Sequence, residues 1–250
     1  MENAINNESL VRDLLELDYK IAAVLFQSGI DFFKCTDMRL SAACERFRVD
    51  PVRTLLRIQH CLQEIPEPNP DFSKFSCGHI ILYLIHTHHA HSRVTLPMIH
   101  YHIKKVEQMY VGEFPHVMML NTFFDKFRTD FIYHLRQEEE VVFPYIHQLE
   151  DAVMPGNQGK VLELPDLSIS SLNARHISDH EDIEDIIRLT NHFRFDASDP
   201  LPYRILMQEL KDLYHNLNQH SDLEEKVLFL KAEAMEKIAS DIMRKLLGLN

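Results

Sequence analysis

The chain has 250 residues, a formal net charge of −12 and a hydrophobic fraction of 45%. A core of ordinary size is expected, whereas non-specific binding to nucleic acid or to an anionic membrane is disfavoured because both carry the same sign of charge. No apolar run is long enough to span a bilayer, and acidic residues near the N-terminus are atypical of a secretory signal. The scattered cysteines Cys35, Cys44, Cys61 and Cys77 fit a reducing compartment. We therefore expect a cytoplasmic protein without a nucleic-acid or membrane partner.

Helical spacing of apolar residues dominates the chain, and only six glycines interrupt it. Strand-like alternation is scarce, so the pattern predicts an all-α fold. The proline-rich segment PEPNP at residues 66–70 cannot be helical throughout. It predicts a linker between a small helical N-terminal domain, residues 1–68, and a second domain, residues 69–250.

Four long helices are predicted in the second domain. A segment with glycine and proline near residues 154–166 separates the second predicted helix from the third. A segment with two prolines near residues 196–202 separates the third from the fourth. The predicted helices cover about residues 77–111, 115–150, 166–195 and 200–235. Because the connections are short or moderate, we expect these helices to form an antiparallel four-helix bundle.

Histidine and glutamate residues interrupt the apolar face of each predicted bundle helix. They occur three or four positions from neighbouring apolar residues, the spacing that keeps side chains on one helix face. These residues are His89 on the first helix, His134 and Glu138 on the second, His176 and His180 on the third, and His220 and Glu224 on the fourth. We interpret five other histidines of the first helix as packing or surface residues, namely His86, His88, His91, His100 and His102.

The two glutamates would be costly in a core without a partner of opposite charge, and a metal ion supplies one. An internal repeat strengthens this interpretation. HLRQEEEVVF on the second helix and HSDLEEKVLF on the fourth share the pattern H-x-x-x-E-E-x-V-[V/L]-F. The first histidine and the glutamate four residues later project from the same face. Two copies on two bundle helices predict a shared metal site.

Mixed imidazole and carboxylate ligands favour non-haem iron, with manganese or zinc as weaker alternatives. A structural zinc site would favour cysteine, and no cysteine lies near the predicted ligands. Six or seven protein ligands are enough for two ions. We therefore expect two iron ions bridged by Glu138 and Glu224, with histidines at the outer positions and space for an oxo bridge or a diatomic ligand, O₂ or NO.

The same segments resemble the repair-of-iron-centres proteins, which are hemerythrin-like di-iron proteins implicated in restoring iron–sulfur clusters after nitrosative and oxidative damage. The resemblance covers nearly the whole chain and rests on THHAHSRVTLP, HLRQEEEVVFP, LNARH and HSDLEEKVLF. It implies a hemerythrin-like bundle with the ligands His89, His134, Glu138, His176, His220 and Glu224. It also implies damaged iron–sulfur proteins as partners.

Two features depart from the family pattern. Residues 25–31 (LFQSGID) resemble the segment that precedes the family's cysteine pair, but Phe32, Phe33 and Lys34 follow before Cys35, so the pair is missing. The family usually has a small residue four positions after the third-helix ligand, where this chain has His180. The resulting H-x-x-x-H is similar to that of oxygen-carrying hemerythrins.

Three functions are therefore compatible with the sequence. The first is a di-iron protein of the iron–sulfur cluster repair type that responds to nitrosative or oxidative stress. The second is a hemerythrin-like module that binds or senses O₂ or NO without repair activity. The third is a metal-free helical interaction protein. The sequence leaves open whether the chain is an enzyme and whether it forms a homodimer.

Overall fold

The computed structural model describes residues 5–63, 70–172 and 181–248. The predicted all-α class is confirmed. Long packed helices follow a small N-terminal helical region, as in a hemerythrin-like bundle. None of the described helices combines the length and the hydropathy that a transmembrane span requires.

Four α-helices make up the described N-terminal region, residues 5–63. They are α1 (Val11–Leu17), α2 (Ile21–Gln27), α3 (Leu40–Phe47) and α4 (Pro51–Gln63), with a 3₁₀ turn at Phe32–Lys34. The Asp50 carboxylate accepts hydrogen bonds from the amides of Val52 and Arg53 at 2.8 and 3.2 Å and so caps the start of α4.

Gly29 ends helix α2 and turns the chain towards the 3₁₀ turn. Its φ of +86° lies in the left-handed region, where a residue without Cβ is favoured. The amides of Gly29 and Ile30 donate to the carbonyls of Phe26 and Leu25, the hydrogen-bond pattern of a Schellman motif. The segment LFQSGID thus forms a helix end followed by a buried turn.

The rest of the described chain consists mainly of long helices with π-helical segments in three of them. The α-helices are α5 (Cys77–Tyr83), α6 (Ala90–Tyr110), α7 (His116–Gln137), α8 (Phe143–Ala152), α9 (Glu181–Leu189), α10 (Leu201–Leu223) and α11 (Phe229–Leu246). The π-helical segments are Leu84–His89, Glu138–Val142 and Glu224–Leu228, each continuous with the α-helices on both sides.

Two helix ends differ from the prediction. Helix α9 ends at Leu189 rather than near residue 195, because Asn191, His192 and Phe193 all have positive φ and cannot continue a right-handed helix. Helix α11 extends to Leu246 rather than ending near residue 235. Its C-terminal half is rich in strong helix formers, and a helix-ending glycine, Gly248 with a φ of +67°, occurs only beyond it.

The chain divides into two compact units. Unit 1 comprises Met1–Asn69, Thr95–Asn121 and Leu189–Asp212, and unit 2 comprises Pro70–Val94, Thr122–Arg188 and Leu213–Asn250. The core of unit 1 joins the N-terminal helices to Ile205, and that of unit 2 includes residues of α5, α8 and α11. The proposed domain division between residues 68 and 69 stays a prediction.

The burial of the cysteines predicts which thiols react in the folded protein. Burial raises the pKa of Cys35 and of Cys77 to about 11 and also raises that of Cys44, so these thiols are protonated at neutral pH. Cys61 is partly exposed. We expect iodoacetamide to label Cys61 at least about tenfold faster than Cys35 in the native protein, as measured by peptide mass spectrometry. Equal labelling rates would contradict this expectation, and labelling in denaturant provides the reference for full access.

Candidate metal centre

Four fully buried side chains converge in unit 2. They are His89, Glu138, His220 and Glu224, and one ligand atom from each lies within 4.8 Å of every other. Their exposed fractions are 2% or less. Two carboxylates with so little access to water require cationic or hydrogen-bonding partners, and imidazole nitrogens and carboxylate oxygens are together a ligand set for a metal ion. The group is therefore able to hold one.

The backbone positions these residues through the π-helical segments. His89 is the last residue of Leu84–His89, whereas Glu138 and Glu224 are the first residues of their segments. A π segment adds a residue to a helical turn and changes the direction of the side chains that follow, and such segments are frequent at functional sites. Both copies of the sequence repeat therefore contain a π-helical segment that begins at their first glutamate.

Glu138 lies at the centre of the cluster. Its Oε1 is 2.8 Å from Nε2 of His134, and its Oε2 is 3.4 Å from Nε2 of His89 and 3.7 Å from Nε2 of His220. His220 Nε2 is also 3.7 Å from Oε1 of Glu224. Donor atoms bound cis to each other, at about 2.1 Å from one ion, are about 3 Å apart. The contacts in the cluster, 2.8 to 3.7 Å, begin near this value and extend somewhat beyond it.

The Nε2 atoms of His89 and His220 are 3.1 Å apart. At most one of them can carry a hydrogen in that direction, so at least one presents a lone pair. Burial lowers the pKa of His89 despite the opposing effects of Glu138 and Glu139. A neutral imidazole is the form that coordinates a metal, so proton competition for His89 is weak at neutral pH.

Glu139 and Arg93 orient His89 from outside the cluster. His89 Nδ1 lies 2.7 Å from Oε1 of Glu139, and Arg93 Nη2 donates to both carboxylate oxygens at 2.8 Å. Burial opposes ionisation of Glu139, but the hydrogen bonds from Arg93 and His89 outweigh it and lower its pKa. An ionised Glu139 accepts the Nδ1 hydrogen, and Nε2 then faces the cluster without one.

Aromatic rings enclose the imidazoles. Phe143 stacks on His89 with ring centroids 5.6 Å apart, and Phe131 lies 5.6 Å from His134 and 6.2 Å from His220. These rings exclude water and lower the local dielectric, which strengthens each electrostatic contact in the cluster.

The structure brings together five of the seven predicted ligands, with His134 joining the four fully buried residues. The other two, His176 and His180, lie outside the described residues. His88 was interpreted as a non-ligand, and it is buried and absent from the convergent group. Glu139 and Arg93 were not predicted. The second glutamate of the H-x-x-x-E-E repeat was the available signal for Glu139.

Fold and site thus define an all-α protein with a buried His/Glu group able to hold a metal ion. No family model matches the chain. It is 24% identical over 228 residues, 91% of this chain and 99% of the relative, to iron–sulfur cluster repair protein ScdA of Staphylococcus haemolyticus. The ScdA protein of Staphylococcus epidermidis is also 24% identical, over 236 residues. Iron–sulfur cluster repair protein YtfE of Edwardsiella ictaluri is 25% identical over 207 residues, 82% of this chain and 88% of the relative. The predicted resemblance to the repair-of-iron-centres family is confirmed.

Replacing Glu139 tests its role as an orienting residue. Glu139→Gln removes the charged acceptor of the His89 Nδ1 hydrogen, so we expect metal affinity to fall about 10- to 100-fold while the fold is retained. Titration with Fe²⁺ or Co²⁺ against a competing chelator measures the change.

Glu140→Gln is the matched control, because Glu140 has a largely exposed side chain on the same helical segment. It should leave affinity unchanged within about threefold. An equal loss in both variants would show that general surface charge, rather than the orientation of His89, is responsible.

Proposed function

We propose that this chain holds two iron ions in the buried cluster of unit 2. Glu138 and Glu224 are the proposed bridging ligands, the outer ligands are His89, His134, His176 and His220, and His180 is a further candidate ligand whose coordination would distinguish this function from the second candidate below. The central position of Glu138, within 3.7 Å of three imidazole Nε2 atoms, is the observation that best supports this assignment. The donor set fits non-haem iron better than zinc because it has no thiolate and two carboxylates.

The residues around the cluster have distinct tasks in this proposal. Glu138 and Glu224 supply negative charge that offsets the charge of the ions. Glu139, held by Arg93, keeps the His89 lone pair directed inward. Phe131 and Phe143 limit access of water. When bound, the iron pair supplies redox chemistry and affinity for small diatomic molecules.

We further propose that the protein repairs damaged iron–sulfur clusters in the cytoplasm during nitrosative or oxidative stress. Relatives that cover 91% of the chain are named for iron–sulfur cluster repair, which supports this role. Its partners would then be proteins that have lost or damaged a cluster. The proposed layout is an N-terminal domain of residues 1–68 and a bundle of residues 69–250.

A second candidate is a hemerythrin-like module that binds O₂ or NO. The sequence H-x-x-x-H at His176 and His180 favours it, because a second histidine would fill a position that a repair protein keeps open. The buried, protonated Cys35 favours it too, since thiol chemistry is then not available at that position.

Iron stoichiometry separates a metal ligand from a structural carboxylate. Glu138→Ala should lower bound iron from about two ions to less than one per chain, because the central carboxylate is lost. The control is Glu209→Ala, since Glu209 is also buried and lies 2.7 Å from a histidine, His102, but is not part of the cluster.

Both substitutions should destabilise the fold by about 1–3 kcal/mol, because each leaves a buried imidazole without its partner. Only the first should remove iron. Elemental analysis and thermal unfolding with and without Fe²⁺ are the measurements. Retention of full iron content in Glu138→Ala would overturn the assignment.

Repair activity is measured on a purified [4Fe–4S] enzyme inactivated by nitric oxide. We expect the iron-loaded, reduced protein to restore its activity above an equal amount of Fe²⁺, and Glu138→Ala to add nothing beyond that control. Recovery no greater than the iron control would contradict the repair proposal. A stable, reversible oxy band on exposing the same reduced protein to air would then favour the second candidate.

A further inference from the structure

The outer face of helix α4 exposes apolar side chains beside arginines. Val52 and Leu56 are each 60% exposed, and Arg53 is exposed next to them. These positions, together with Arg57, recur at spacings of one, three and four residues and therefore lie on one side of the helix. The opposite side contributes the buried Thr54 and Ile58 to unit 1.

Arginines of this region differ from their neighbours in having no carboxylate partner. Arg48, Arg53 and Arg57 form no ion pair within the described residues. Other arginines of unit 1 do form them: Arg12 with Asp37, Arg39 with Glu8 and Arg204 with Glu16. Residues 34–57 contain six Lys or Arg and three Asp or Glu, in a chain whose net charge is −12. Lys34 and Arg39 of this stretch are paired with Asp31 and Glu8, whereas the charges of Arg48, Arg53 and Arg57 have no carboxylate partner within the described residues.

A cavity of about 340 Å³ lies between these arginines and the end of α2. Arg53 and Arg57 line it, and Arg57 is held in place by hydrogen bonds to Ser28 Oγ and Gln27 Oε1, each 2.9 Å long. Both acceptors are neutral, so the charge of Arg57 is retained. Asp50 also lines the cavity, but its carboxylate is engaged by the first amides of α4.

We propose that this α4 face, comprising Val52, Arg53, Leu56 and Arg57 with the adjoining cavity, docks an acidic segment of a partner protein. A carboxylate of the partner enters the cavity towards the preorganised Arg57, and an apolar side chain packs on Val52 and Leu56. Guanidinium groups suit this role because they bind carboxylates in a bidentate manner.

The charge distribution of the chain favours such a partner over other polyanions. The strongly negative remainder repels nucleic acid and anionic lipid, which present charge over extended surfaces. A folded protein can instead place a few carboxylates on this face. The combination of arginines with exposed apolar residues also matches the composition of protein interfaces. The α4 face belongs to unit 1, whereas the His/Glu cluster belongs to unit 2.

The test uses the full chain and a short fluorescein-labelled helical peptide with glutamates and leucines on one face. Fluorescence anisotropy at low and physiological ionic strength measures Kd. We expect Arg53→Glu to weaken binding at least about tenfold and Leu56→Ser to weaken it about three- to tenfold. Both positions are exposed, so the variants should fold, as circular dichroism would verify.

Lys20→Glu is the matched control, because it makes the same charge change at an exposed position of unit 1 outside the α4 face. It should alter Kd less than twofold, and a peptide with glutamine for glutamate should not bind. Equal weakening by Lys20→Glu and Arg53→Glu would overturn the proposal, as would tighter binding of duplex DNA or phosphatidylglycerol vesicles than of the peptide. A dimer of the chain that Arg53→Glu dissociates would identify a second copy as the occupant and also overturn it.

Discussion

The constraint on which unit 2 depends is the burial of two carboxylates among imidazoles. Glu138 and Glu224 are 2% and 0% exposed, and an uncompensated charge at that depth would cost several kcal/mol. Imidazole nitrogens face these carboxylates at 2.8 to 3.7 Å, and three helical segments must converge at one depth to place them there. The register of these helices, their π segments and the surrounding phenylalanines all follow from this requirement.

Two His–Glu contacts of equal length in the same protein lie in different surroundings. His102 and Glu209 lie 2.7 Å apart beside Phe26 and Phe32, and within the described part of the chain they belong to no convergent group of ligand atoms. His89 and Glu139 are also 2.7 Å apart, but Arg93 neutralises that glutamate and the other ring nitrogen meets further donors. The first pair lies among packed aromatic rings, whereas the imidazole of the second belongs to the His/Glu group that is able to hold a metal ion.

The N-terminal region combines the lost cysteine pair with a positively charged surface. Cys35 is buried at the turn after Gly29, and its pKa of about 11 makes it a poor nucleophile at neutral pH. The arginines on α4 are instead accessible and without carboxylate partners among the described residues. The arginines on α4 are therefore better placed to bind a partner than Cys35 is to carry out thiol chemistry.

The sequence by itself determined the all-α class, the long helices and the face on which His89, His134, Glu138, His220 and Glu224 lie, because helical periodicity is local and leaves a visible spacing. It also carried the H-x-x-x-E-E repeat. The tertiary structure alone decided where helices end, as at Leu189, and which side chains meet. The hydrogen bond between His89 and Glu139 joins residues 50 positions apart. Whether an arginine of α4 meets a carboxylate depends on where the folded chain places its acidic residues. Such contacts depend on packing between helices, which spacing along the chain does not encode.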